Sequence, residues 1–246
     1  MLDGLNTAAA GMAAQQARID SVANDLANVS TTGYKHGRTD FHDLVYQSAT
    51  GFGDSGGVRT GTGVAAVDAG RSMSQGALEQ TGEPLDVAIQ GAGFLRVKLP
   101  DGTAALTRDG SLHVDGLRRL STSTGAIVQP PVTIPKGIAE ADVEIGSDGS
   151  VKAGGRSLGR IEVVAVRSTG GLRALGENAF APTAASGPVS AAPRATTLVQ
   201  GALEASNVDM AEAMTGMIEA QRSYQLASKA IQTADQMLEI ANGVKR

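Results

Sequence analysis

Apolar residues recur every seven positions at the start of the chain: Leu5, Met12, Ile19 and Leu26, with Ala8, Gln15, Val22 and Val29 at the intervening position. This is the a/d pattern of a heptad helix, its second row diluted by small and polar residues. It predicts a helix from about Asp3 to Asn28, roughly 39 Å long at about 1.5 Å per residue. The run Asn28-Val-Ser-Thr-Thr-Gly33 then predicts a sharp stop, because Ser and Thr compete for backbone hydrogen bonds and Gly33 can take the left-handed conformation. A seam this narrow buries little surface by itself, so the helix needs a partner.

The helical period returns after Leu203. Met210, Met214, Met217, Tyr224, Ile231 and Leu238 line one face, interrupted by Gln221, Ser228 and Asp235. Ser206 followed by Asp209 predicts a capping box at the start, and Asn242-Gly243 predicts the stop. A helix from Val208 to Asn242 would be about 52 Å long.

Between the two helices the period changes to two. Leu85–Ile89, Phe94–Leu99 and Ile161–Val166 read as strands, and Val132–Ile134 as a short one bounded by Pro130, Pro131 and Pro135. The pairs Asp101-Gly102, Asp109-Gly110, Asp115-Gly116 and Asp148-Gly149 are favoured hairpin dipeptides. No stretch reads as a crossover helix, so the sheet is expected to be antiparallel. Two stretches read as linkers: the Gly-dense Thr50–Thr62, and Ala181–Arg194, rich in Ala, Pro and Ser. Phe41, Leu44, Val45 and Tyr46 fit either a helical turn or a strand.

The expected fold class is therefore α+β: long N- and C-terminal α-helices pairing as a coiled coil and flanking an antiparallel all-β middle domain. The expected divisions are an N-terminal helix over 1–34, an extended or loop region over 35–77, the β domain over 78–200 and a C-terminal helix over 201–246. Gln15, Gln221, Ser228 and Asp235 would be awkward in a dry intramolecular seam. They suit a place where several copies meet and polar groups pair across subunits. The expected assembly interface comprises Leu5, Met12, Ile19, Val22, Leu26 and Asn28 with Met214, Met217, Tyr224, Ile231 and Leu238.

Composition narrows the function. The chain has 246 residues, a net charge of −4 and no run of basic residues, which argues against nucleic acid. Aromatics are 3% and Trp is absent, which disfavours a ring-lined ligand pocket. With no cysteine there is no disulfide, zinc-thiolate or thiol chemistry. The N-terminus lacks the basic and apolar regions of a secretory signal, and no apolar run approaches the roughly 20 residues that span a membrane. No cofactor, metal site, nucleic acid or membrane insertion is expected.

Two motifs suggest chemistry and fail on context. Gly53-Asp-Ser-Gly-Gly57 matches the nucleophile segment of chymotrypsin-like proteases, with Ser55 as nucleophile. Such a protease needs a β-barrel carrying His and Asp upstream, and only 54 residues precede Ser55, about half of them helix. Gly91-Ala-Gly93 would need a third glycine where Arg96 stands, and it leads into a strand, so no helix N-terminus meets a phosphate. It reads as a turn. His36 and His42 read as loop residues, and no active site assembles. A β-domain binding module with dimerising arms is the remaining alternative to a polymer.

Several stretches carry a resemblance. Ala23-Asn-Asp-Leu-Ala-Asn28 with Val-Ser-Thr-Thr-Gly-Tyr-Lys35 resembles the N-terminal signature of bacterial flagellar rod and hook proteins. The stretch Gly76–Phe94 is similar to the start of their β domain, and Thr107-Arg-Asp-Gly-Ser111 to its next hairpin. Gly201-Ala-Leu-Glu-Ala-Ser-Asn-Val208 and Met217–Tyr224 resemble their C-terminal signature. Asp43–Gln47, Gly61–Val64 and Thr233–Leu238 look most like the distal-rod members, with the proximal-rod members next. The resemblance implies a non-enzymatic subunit whose terminal helices stack into the wall of a hollow axial filament, with residues 35–75 between neighbours. It also implies a helical homopolymer, other rod and hook subunits and surrounding ring proteins as partners, and a drive shaft that carries torque to the hook. It implies export through the flagellar type III channel without a cleaved signal, to a basal body in the periplasm or cell wall.

Overall fold

Both heptad stretches are helical in a computed structural model that describes residues 2–44, 46–48, 59–61 and 63–244. Helix α1 is Leu2–Ala27 and helix α2 is Met210–Val244. Asp209 caps α2, because its carboxylate accepts from the backbone N–H groups of Ala211 at 2.8 Å and Glu212 at 3.1 Å. The cap is thus not the Ser206–Asp209 box expected from sequence. Ser206 instead accepts from Val208 N–H at 3.3 Å, and Asp209 with Glu212 occupies the N-cap and N3 positions.

The chain divides into two compact units. One contains Met1–Ala27, Gly37–Ala69 and Asp209–Arg246. Within it α1 and α2 pack against one another, and α1 also touches strand Gly37–Asp43. That strand pairs with Val64–Arg71, and Tyr46–Ser48 pairs antiparallel with Arg59–Gly61. The residues expected to be helical turn or strand are therefore strand over Phe41 and Tyr46, whereas Val45 lies outside the described residues. Of the Gly-dense stretch, Arg59–Gly61 is described, and residues 50–58 and 62 lie outside the described residues.

The other unit contains Asn28–His36 and Gly70–Val208. Its largest sheet runs through Arg173–Gly176, Ala179–Ala181, Ala104–Thr107, Phe94–Lys98, Ile127–Val128, Leu120–Thr122 and Leu112–Val114 in that spatial order. Its strand pairings among the described residues are antiparallel, as expected. A smaller sheet, Val143–Ile145 with Ser150–Ala153 and Arg156–Arg160, closes over the same core. Val87, Ile89, Leu95, Leu120, Val128, Ile134, Val151 and Ile161 are buried there. Phe94 and Phe180 form a second cluster with ring centroids 6.2 Å apart.

Three of the four Asp-Gly pairs turn hairpins: 101–102, 115–116 and 148–149 lie between strands that pair. Their carboxylates accept the N–H two residues on, at Thr103, Leu117 and Ser150, which is the Asx-turn geometry. Asp109-Gly110 does not turn a hairpin, because Ala104–Thr107 and Leu112–Val114 pair with different strands. Gly110 instead lies against the backbone of Val87, where a Cβ would meet the Val87 carbonyl.

Two other expectations are corrected. Val132–Ile134 is not a strand but a single bridge, Arg119 with Thr133, its flanks lacking the N–H groups that prolines cannot supply. Ala181–Arg194 is not a linker. Ser190–Ala191 pairs with Val163–Ala165, and Ser186 is fully buried with its hydroxyl on the Thr183 carbonyl at 2.9 Å.

Candidate assembly interface

The helix pair shows which predicted residues face inward. On α1, Leu5, Met12, Ile19, Val22 and Leu26 are all half-buried, and the deepest positions are Ala14 and Asp25. Asp25 accepts from the Gly37 N–H at 3.0 Å, which ties the strand Gly37–Asp43 to the helix. On α2, Ala213, Gly216, Met217, Ala220, Ala227, Ser228, Ile231 and Ala234 are the inward positions among the described side chains, with Ala220 fully buried. Ala213, Ala220, Ala227 and Ala234 recur every seven residues, and Met217 and Ile231 lie in the second row of the same heptad; Tyr224, between them in that row, is exposed. The alanine row was not anticipated; its spacing is the signal that would have found it. The side chain of Leu238 lies outside the described residues, and Asn28 is half-buried just past α1.

Met214 lies off this stripe and is half exposed, as are Met210, Ile218 and Met237. Leu226 is 70% and Ile240 67% exposed; they lie 14 residues apart, two heptads along one line of α2 on the side away from Met217. One helix face is thus satisfied within the chain, and a second apolar face is bare.

Gln15, singled out as a polar interruption, has a buried side-chain oxygen with no hydrogen-bond partner among the described residues. An orphaned buried acceptor costs about 1–3 kcal/mol. Gln15→Leu is therefore expected to raise the stability of the dilute chain by about 1 kcal/mol, read by urea denaturation. A loss of similar size would mean that the amide is paired in solution.

The β unit holds a second constellation, built from the motifs that carry the resemblance. Glu204 is fully buried between two cations. Lys35 Nζ reaches its Oε1 at 2.6 Å, and Arg108 Nη1 reaches Oε1 at 3.0 Å and Oε2 at 2.8 Å. The Gly76 N–H also donates to Oε1 at 2.9 Å, and the Gly33 N–H donates to the Glu204 carbonyl at 2.7 Å. Arg108 spends its remaining donors on the carbonyls of Gly91 at 2.6 Å and Gly93 at 3.0 Å, and its guanidinium lies over the Phe94 ring. The Gly91-Ala-Gly93 motif is thus a turn whose carbonyls hold a guanidinium.

Around this cluster, Arg71 Nη1 donates to Tyr34 Oη and to the Lys35 carbonyl, both at 2.8 Å. Asn207 accepts from the His36 N–H at 2.9 Å and donates to the Ser72 carbonyl at 2.9 Å. Burial pushes the Lys35 amine below its usual value, against the hydrogen bond and charge of Glu204. A lowered folded value means that stability rises with pH between that value and the unfolded one, since the unfolded chain there binds more protons. Sequence reading missed Lys35, Arg108 and Glu204. Each is a charged residue inside one of three separate motifs, and that shared placement is the only signal it offers.

Among the described residues, no group of acidic, His or Cys side chains is placed to hold a metal, and no helix is long and apolar enough to cross a membrane. Ser55 and its Gly-rich segment lie outside the described residues.

Comparison with known proteins matches the same segments. The family described as flagella basal body rod protein matches residues 5–35, the flagellar hook protein FlgE/F/G D1 domain matches 88–153, and the flagellar basal body rod FlgEFG protein C-terminal matches 199–244. The flagellar basal-body rod protein FlgG of Borreliella burgdorferi is 43% identical over the full length of both chains. That of Caulobacter vibrioides is 38% identical over 99% of this chain and all of its own, and that of Bacillus subtilis 35% identical over the full length of both. Identity at this level along the whole chain, through both helices and the β unit, shows that the chain belongs to the FlgG family of flagellar basal-body rod proteins, structural subunits of the distal rod.

Proposed function

We propose that this subunit polymerises helically through its terminal helices into a hollow drive shaft that carries torque from motor to hook. The observation that carries the reading is the bare apolar line of α2, Leu226 and Ile240 with Met237, beside a seam already filled by α1. Covering each such side chain contributes about 1.5–3 kcal/mol, a gain that burial against another copy would supply. Within one chain the helices pair as a coiled coil, supported by the seven-residue recurrence of Ala213, Ala220, Ala227 and Ala234 beside Met217 and Ile231. Leu5, Met12, Ile19, Val22, Leu26, Asn28, Met214, Met217, Tyr224, Ile231 and Leu238 belong to this assembly region. Met214 serves the outer contacts, and the half-buried positions serve the inner ones.

The partners in this reading are further copies, neighbouring rod and hook subunits, and the surrounding rings. The place is the basal body, in the periplasm or cell wall, reached through the flagellar type III channel without a cleaved signal. A small epitope inserted at the exposed turn of Asp101-Gly102 tests the assignment. Gold-labelled antibody is expected to mark the upper rod, next to the hook, on isolated basal bodies. Labelling confined to the lower rod would make the chain a proximal-rod subunit, and basal bodies without label would end the reading.

A further inference from the structure

The buried charges are unequal in number: Lys35 and Arg108 share one carboxylate, Glu204. Asp109, the other buried acid near them in sequence, is engaged by the Ser111 N–H at 3.0 Å and the Thr32 hydroxyl at 3.2 Å. The two cations differ in what else holds them. Arg108 is anchored without Glu204, on the carbonyls of Gly91 and Gly93 within its own sheet neighbourhood. Among the described residues, Lys35 Nζ has the Ser74 carbonyl at 2.6 Å besides Glu204. Without Glu204, seating the segment 31–36 would bury a second cation beside Arg108 with no anion between them, which is strongly unfavourable.

Glu204 also touches both segments by its backbone neighbourhood. Gly33 donates to its carbonyl, Gly76 to its side chain, and Ala205 N–H to the Ala77 carbonyl at 2.8 Å. The strand Ala202–Glu204 pairs with Leu78–Gln80, so Glu204 reaches its place by ladder formation.

We propose that Glu204 is a keystone for the β unit: the segments 31–36 and 72–76 dock only after the strand carrying Glu204 has paired. Lys35 and Glu204 are 169 residues apart. In a chain that emerges N-terminus first, the segment leading out of α1 therefore stays undocked until nearly the whole β unit has followed it. The device holds back completion of the fold, and so exposure of a finished subunit, until the segment leading into α2 is present. It does not rest on the proposed polymer.

Hydrogen exchange on the dilute full-length chain tests this. Glu204→Gln is expected to speed exchange at 31–36 and 72–76 by about 100-fold or more, while strands Phe94–Lys98 and Ala104–Thr107 change by less than about 10-fold. Adding Lys35→Met removes the uncompensated cation and is expected to slow exchange at 72–76 by about 10-fold relative to Glu204→Gln alone. Equal loss in all strands, or none, overturns the proposal. Absence of the recovery overturns it; where Glu204→Gln alone does not fold, Lys35→Met is expected to restore folding, and its failure to do so overturns the proposal as well.

Discussion

Replacing Leu226 and Ile240 together by Asp is expected to leave the chain folded and to stop it assembling. Both side chains lie on solvent in the single chain, at 70% and 67% exposure. Surface substitutions of that kind shift stability by only about 0.5 kcal/mol, so far-UV circular dichroism and the melting temperature should match wild type. Assembly is different. Covering two such side chains contributes on the order of 4 kcal/mol per subunit, and Asp in their place adds a desolvation cost. At about 1.4 kcal/mol per decade, the concentration needed for polymer rises by about 100-fold or more. Sedimentation of polymer against monomer reads it directly. A double variant that pellets at the wild-type concentration would show that the outer line of α2 is not a subunit contact. Ile231→Asp is the useful contrast: it puts a charge into the half-buried seam and should lower monomer stability first.

Arg108→Ala is expected to be the most damaging single change in the β unit. The guanidinium is almost fully buried and joins Glu204, Gly91 and Gly93 beneath the Phe94 ring. Its removal leaves two carbonyls without their donor and a void against Phe94. Glu204 keeps Lys35 as its partner, so the cost comes from the two orphaned carbonyls, at about 1–3 kcal/mol each, and from the void. A loss of about 3–5 kcal/mol is roughly 6–20 °C in melting temperature for a domain of this size. Arg108→Lys should recover little, because an ammonium cannot reach a carboxylate and two diverging carbonyls from one plane. Thermal denaturation followed at 222 nm and by tryptic resistance of the β unit measures both. A loss below about 1 kcal/mol would mean that the cluster is solvated in solution.

The sequence reading and the structure part company where local pattern stops carrying information. Heptad spacing located α1 and α2 within two residues at each end, because a period of three and four survives any tertiary context. It marked Met217, Tyr224 and Ile231 but passed over Ala213, Ala220, Ala227 and Ala234, since alanine scores as neither seam nor surface until a partner helix is seen to approach it. Asp-Gly pairs located three hairpins and misled at Asp109-Gly110, where the glycine serves a close approach to Val87 rather than a turn. The linker expected over Ala181–Arg194 failed because small polar residues there bury their own hydrogen bonds, as Ser186 does. The Lys35–Arg108–Glu204 cluster was beyond reach of pattern altogether. Its members are separated by 96 and 169 residues, and only the folded chain brings them within 3 Å.

These two constellations divide the work. The helices hold the apolar surface that another copy can cover, while the charged cluster fixes the segments that enter and leave the β unit. Loss of the first should remove assembly and spare the fold. Loss of the second should weaken the fold itself.

An open helical polymer built through the terminal helices, as proposed, can be sought with the chain alone. Purified chain concentrated stepwise and viewed by electron microscopy tests it most directly. The account predicts tubes of unlimited length above a threshold concentration, with α1 and α2 at their inner wall. A finite dimer at every concentration, seen by light scattering on the same samples, would contradict it.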